Sequence, residues 1–187
     1  MEKLLFLFHR KPGLTRAEFF EHYLDVHAPL GLRLTVTMDG YTVNLVDTES
    51  DGAPDAITEV WTASTTDFFD PGKSFATPED AKALMTDHDS FIGPYDTYRV
   101  VERVVRGSAT SGEPVKRIAC YLEGEEVPEP GPGVTDVLEH RVLKVLNPDA
   151  PQYVTIVSMW ARTADALGPS TAVAYDVREY RKKLPVG

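Results

Sequence analysis

Residues 15–30 read TRAEFFEHYLDVHAPL, a segment with the marks of one amphipathic helix that runs into a histidine and a proline. Thr15 and Glu18 have the S/T-x-x-E spacing of a capping box, in which side chain and backbone satisfy each other's open donors. Phe19, Phe20, Tyr23, Leu24 and His27 recur at helical spacing and share one stripe. Glu18, Glu21, His22 and Asp25 fall on the other side, which puts His22 in solvent. Pro29 lacks a backbone donor and crowds the turn before it, so the helix kinks or stops near Ala28. His27 then points inward near a helix end, where the carbonyl released by Pro29 can orient its ring. Burial lowers its pKa and nearby carbonyls raise it. A lone histidine on an apolar face is also the ordinary picture of a packed core side chain.

Outward from this helix the first half reads β-α-β-β-α-β. Residues 3–9 form a strand that is apolar on both faces, as a covered central strand should be. The helix continues past a kink at Pro29 to Met38, and Asp39-Gly40 breaks it. Strands follow at 41–46 and 57–63. In the latter Ile57, Glu59 and Trp61 share one face, and Thr58, Val60 and Thr62 the other. The second helix has Thr77 as N-cap and Pro78 in its first position. Its inward stripe is Ala81, Leu84, Met85 and His88. Residues 98–105 are the fourth strand, and 106–115 (RGSATSGEPV) have linker composition. Strands resume at 118–122, 137–146, 153–160 and 172–181, with an acidic Pro/Gly loop at 123–133. Residues 137–146 fit a helix by spacing and a strand by β-branched content. The strand is preferred because 147–151 then turns into the next one.

The two halves share a pattern. EVWTASTTDFFDP and SMWARTADALGP align Trp61 with Trp160, Asp67 with Asp165 and Pro71 with Pro169, given one gap. The expectation is a duplicated unit, residues 1–107 and 116–187, whose second copy has lost most of its helices. The two copies should form one body with two facing antiparallel sheets.

Length and composition bound the class. A chain of 187 residues with 42% hydrophobic content can bury a core without staples. The net charge of −10 argues against nucleic acid or an anionic membrane surface as partner. Cys120 is the one cysteine, so no internal disulfide forms, and a reducing cytoplasm is the expected compartment. Its place in an apolar strand suits core better than nucleophile. No apolar run approaches the length of a membrane span. The opening MEKLLFLFHR reads as a strand, being too short for a signal-peptide core. His22 and His27 stand five apart, on different faces of a regular helix, which disfavours a shared metal. Phosphate loops and the G-x-S-x-G elbow are not found.

Residues 3–30, KLLFLFHRKPGLTRAEFFEHYLDVHAPL, resemble the start of EthD-domain proteins. The resemblance rests on the hydrophobic strand, the K-P-G-L turn at Lys11–Leu14, the helix with Glu18, Phe20 and Tyr23, and the V-H-A-P-L element at Val26–Leu30. It continues more weakly through Trp61, the D-F-F-D-P segment at Asp67–Pro71 and the second helix, over roughly the first 105 residues. It implies an α+β, ferredoxin-like fold of the dimeric α/β-barrel class. That class includes small polyketide cyclases, dehydratases and cofactor-free monooxygenases.

The expected site is a cavity between helices and sheet, suited to a flat aromatic or polyketide-like small molecule. His27 and His88 are the candidate catalytic residues. Phe20, Tyr23, Tyr41, Asn44, Glu59, Trp61, Met85 and Tyr95 are the candidate binding residues. Asn44 and Glu59 fit an exposed strand face equally well, and Tyr95 fits a turn after Gly93-Pro94. His140 has no evident partner. No cofactor and no metal are expected. Three functions stay open: dehydration, cyclisation or isomerisation by histidine acid/base chemistry; cofactor-free oxygenation; and small-molecule binding without turnover. A pseudo-dimer would already have covered its own sheet, so a monomer or small homodimer is expected.

Overall fold

The computed structural model describes residues 1–108, 111–170 and 172–183. The first half comprises β1 (Glu2–Arg10), α1 (Arg16–His22), a π-helical turn (Tyr23–His27), α2 (Ala28–Leu34), β2 (Met38–Val46), β3 (Ala56–Thr62), α3 (Thr65–Phe69), α4 (Pro71–Ser74), α5 (Pro78–Phe91) and β4 (Ile92–Arg106). The second half is β5 (Val115–Tyr121), β6 (Val134–Val145), β7 (Thr155–Ala161), a short 3-10 turn (Ala164–Leu167) and β8 (Val173–Lys183).

Local chemistry sets several of these boundaries. The capping box at α1 is formed in full: Glu18 N donates to Thr15 Oγ1 and Thr15 N donates to Glu18 Oε2. Thr77 caps α5, and Pro78 opens it. The first helical stretch ends at Leu34, four residues short of the expected Met38, with Thr35 already extended. Thr35, Val36 and Thr37 are β-branched and give the helix no support. β4 starts six residues earlier than expected, at Ile92 rather than 98, so Tyr95 is a strand residue and not part of a turn. Residues 137–146 lie almost wholly in a strand. Of the expected linker, Arg106 still belongs to β4, and 109–110 fall outside the described residues.

The eight strands close into one antiparallel barrel in the order β1-β3-β2-β8-β5-β7-β6-β4. Two facing sheets were expected. Instead β2 pairs with β8 and β4 with β6, so the halves join edge to edge. Among the described residues closure leaves no unpaired strand edge, which two separate sheets would have exposed. The four strands of each half follow the same order, 4-1-3-2 and 8-5-7-6. Registers correspond as well. Lys3 faces Trp61 and Lys116 faces Trp160, while Asn44 pairs with Glu179 and His140 with Glu102.

Alternation along β1 divides the interior. Leu4, Phe6 and Phe8 point out of the barrel into the helix-covered core, and Leu5 and Leu7 point into the barrel beside Ile57, Tyr98, Ile118 and Ile156. Cys120 belongs to the inner cluster, where burial pushes its thiol up to about 12. It is core, as its strand context implies. Above this apolar layer sits a charged one. Glu59 accepts from Lys3 Nζ at 2.7 Å and from Lys116 Nζ at 2.8 Å. Lys116 also donates to Asn44 and Glu179, and Lys3 to Glu102. Each lysine lies over a tryptophan, Lys3 at 4.1 Å from the Trp61 ring and Lys116 at 4.6 Å from Trp160. Burial raises the Glu59 carboxyl, but Lys116 and Lys3 outweigh it and hold the group well below the carboxylate range. Among the described residues no helix is long and apolar enough to cross a membrane.

Candidate functional site

Helices cover the outer face of β1 to β4, and between them and the sheet lies a cavity of about 510 Å³, a size typical of small-molecule sites. Its sheet side carries Phe6 and Phe8 of β1, Tyr41 of β2 and Thr58 of β3. Phe68 and Phe69 of α3 and Tyr95 of β4 add aromatic surface. The α5 side is Ala81, Leu84, Met85 and His88, the stripe read from its periodicity. His27 faces in from the first helical stretch. The rings form a continuous wall. Phe6 and Phe8 stack at 5.4 Å, Tyr95 lies 5.4 Å from Phe8, and His88 lies 5.4 Å from Tyr95 edge-on. Such a wall takes a flat ring by offset or edge contacts.

His27 is 8% exposed and stacks on Tyr23 at 5.3 Å. Its Nδ1 lies 2.7 Å from Asp87 Oδ2. Burial depresses its pKa to about 4; Asp87 pulls the other way and does not compensate. The ring is therefore neutral near pH 7. A carboxylate has no proton to give, so Nδ1–H donates to Asp87, and Nε2 keeps its lone pair. The ring is oriented by this carboxylate on α5, not by a carbonyl released at Pro29.

The same carboxylate holds His22. His22 Nε2 donates to Asp87 Oδ1 at 2.8 Å, and the ring packs 4.5 Å from Phe91. Solvent exposure was expected for His22. The reason for the difference is the π turn at 23–27, in which the Ala28 amide reaches back five residues to Tyr23 O. A regular helix puts positions five apart on different faces, whereas one π turn brings them together. His22 and His27 thus grip both oxygens of Asp87. Among the described residues no group of three or more His, Cys, Asp and Glu side chains is arranged to hold a metal ion.

Residues 11–94 match the family model of the EthD domain. The match takes in the helices, β2, β3 and the start of β4, 84 of the chain's 187 residues. His22, His27, Asp87 and His88 all lie within it. No curated protein sequence matches the chain significantly. Among solved structures, an anthrone oxidase-like protein superposes with a TM-score of 0.57 at 10% identity, over 100% of this chain and 96% of the other. A candidate monooxygenase from Lactobacillus acidophilus NCFM superposes with a TM-score of 0.50 at 8% identity, over 95% and 93% of the two chains. At such identities the likeness is one of fold.

The cavity gathers five of the expected residues: His27, His88, Tyr41, Met85 and Tyr95. Tyr23 is fully buried behind it and touches it through hydrogen bonds to Thr58 and Tyr41. Phe20 packs against the helix core with the Arg178 guanidinium 5.4 Å over its ring. Asn44, Glu59 and Trp61 are not cavity residues. They face the barrel interior, and Asn44 and Glu59 are 0% and 4% exposed, so the exposed-face reading fails too. His140 is also interior, 3.3 Å from Ser158 Oγ, with Nδ1 unpaired. His9 is half-buried at the end of β1 and does not line the cavity. Asp87 and Thr58 were missed. Asp87 stands next to His88 in the T-D-H-D string, one step off the apolar stripe, where an acidic residue reads as solvated.

Proposed function

We propose that this EthD domain is a cofactor-free enzyme that removes an acidic C–H proton from a flat aromatic or polyketide-like ketone, with His27 as general base. One observation carries this reading: a neutral histidine, fixed through Nδ1 by Asp87, borders an aromatic-lined cavity and keeps Nε2 unprotonated. That is the arrangement proton transfer needs, a base held in a fixed orientation beside an aromatic-lined cavity. Asp87 selects the tautomer and stabilises the imidazolium once the proton has moved. His88, 5.8 Å from His27 ring to ring, is the second titratable group at the cavity. Burial lowers its pKa, against a smaller upward pull from Asp89 and Asp87. Its ring, beside His27 at the cavity wall, is the candidate second proton carrier.

Removal of the proton is common to dehydration, cyclisation and isomerisation. The names of the two structural neighbours favour another fate, reaction of the resulting enolate with oxygen. For anthrone this is C–H removal at C10, then conversion of anthrone and O₂ to anthraquinone and water. The assay follows from the common step. The protein is incubated with anthrone in D₂O, and C10 deuterium incorporation under argon and oxygen uptake in air are followed. Catalysed exchange with uptake supports oxygenation, exchange alone supports the lyase and isomerase group, and tight binding with neither leaves a binding protein.

His22→Phe is expected to slow exchange about tenfold and to cost about 1 kcal/mol of stability. It keeps the ring on Phe91 but deletes a hydrogen bond to a charged group, at a half-exposed position. Unchanged exchange would return His22 to the surface.

We infer further that 1–107 and 116–187 are two copies of one ferredoxin-like unit, the second without its main helices. Equivalent strand order and the matched Lys–Trp registers support this. A barrel completed within one chain supports a monomer or small homo-oligomer.

A further inference from the structure

Three hydroxyls meet at the sheet side of the cavity. Tyr41 Oη donates to Tyr23 Oη at 3.3 Å, and Tyr23 Oη lies 2.6 Å from Thr58 Oγ1. Tyr41 and Thr58 line the cavity, and Tyr23 is closed off behind them at 0% exposure. Each hydroxyl has one proton to donate. Tyr23 already receives from Tyr41. If Thr58 also donated to Tyr23, the Tyr23 proton would have no acceptor in a fully buried place, a costly arrangement. The favourable order is Tyr41 to Tyr23 to Thr58. Both phenols keep their protons at any ordinary pH, because burial raises Tyr23 to about 12 and Tyr41 well above its usual value. Two of the three protons are then used within the chain. The third, on Thr58 Oγ1, has no acceptor among the described residues, and Thr58, 1% exposed, is a lining residue of the cavity.

We propose that Thr58 is the oxygen anchor of the site, donating this last proton to a carbonyl or enolate oxygen of the ligand. The hydroxyls behind it polarise the donor, since chains of hydrogen bonds strengthen one another. The ligand class narrows accordingly, to a flat aromatic with an acceptor oxygen on one side and an acidic hydrogen on the other. As negative charge moves onto the oxygen during proton removal, the Thr58 bond becomes charge-assisted and stronger. The inference rests on the cavity being the site, but not on His27 being the base.

Its test uses binding alone. The probes are 9-fluorenone and fluorene, flat tricycles that differ by a carbonyl oxygen and have no part in turnover. The full chain is expected to bind fluorenone about tenfold more tightly than fluorene, the worth of one hydrogen bond. Thr58→Val, close in shape, erases the preference, and Thr58→Ala does the same. Thr58→Ser keeps it. The fluorenone carbonyl stretch moves to lower frequency on the wild-type chain and not on Thr58→Val. Absent binding of fluorenone, equal binding of the two probes, or a preference that survives both deletions would overturn the proposal. The base is judged separately: a preference lost in Thr58→Val while His27→Gln exchanges normally would retain the anchor and dismiss the base.

Discussion

His27→Gln is expected to slow deuterium exchange into anthrone at least a hundredfold, with little change in folding stability. General base assistance is typically worth about 10²–10⁴ in rate. Glutamine keeps a polar side chain and a donor for Asp87 but has no lone pair of comparable basicity. Asp87→Asn should act nearly as strongly, although His27 remains. An amide can donate to Nδ1, which moves the ring proton to Nε2 and removes the base from the cavity. Two slow variants with normal urea midpoints would place the effect in chemistry. Wild-type exchange in His27→Gln would make the ring a packed core residue.

Glu59→Gln is expected to be the most destabilising change of similar shape, at about 3–5 kcal/mol. Glu59 is the shared acceptor for two lysines that are 3% and 2% exposed. Its loss leaves both with one carboxylate each, Glu102 and Glu179. Removing one member of a buried pair costs far more than replacing the whole cluster by apolar groups would. In a domain this size the expected loss corresponds to a fall of about 6–20 °C in melting temperature. Glu102→Gln is the comparison, because the Glu102 side chain is 32% exposed and solvent already screens it, so its cost should stay near 1 kcal/mol. Equal midpoints for the two variants, by urea denaturation, would refute the assignment of Glu59 as keystone of the barrel interior.

The legible parts of this chain were the parts governed by one period. The helical stripe placed His27 inward, and the α5 stripe brought His88, Leu84 and Met85 to the cavity. Strand alternation correctly grouped Ile57, Glu59 and Trp61 against Thr58 and Val60. It could not say which group faced the helices, because both faces of β3 are buried. Charged residues usually mark a solvent face, and here they mark the inside of a barrel, where each has a partner on another strand. Barrel closure depends on pairings between residues such as Asn44 and Glu179, which no local pattern encodes. The His22–Asp87–His27 bridge was hidden for another reason. It needs a π turn, and a regular 3.6-residue count sends His22 to solvent.

The most direct test of the His27 base is long-range ¹H–¹⁵N spectroscopy of its imidazole across pH 3.5–8. At pH 6 the ring should be neutral, with the proton on Nδ1 and an unprotonated Nε2, and it should titrate only near pH 4. The folded pKa is depressed below the ordinary 6.5, so between those values the unfolded chain takes up a proton that the folded chain refuses. The part of stability linked to His27 is then complete above about pH 6.5 and is lost as pH falls toward 4. A ring that is protonated at pH 6, or neutral with its proton on Nε2, would contradict the account, since neither form can accept a proton from a ligand in the cavity.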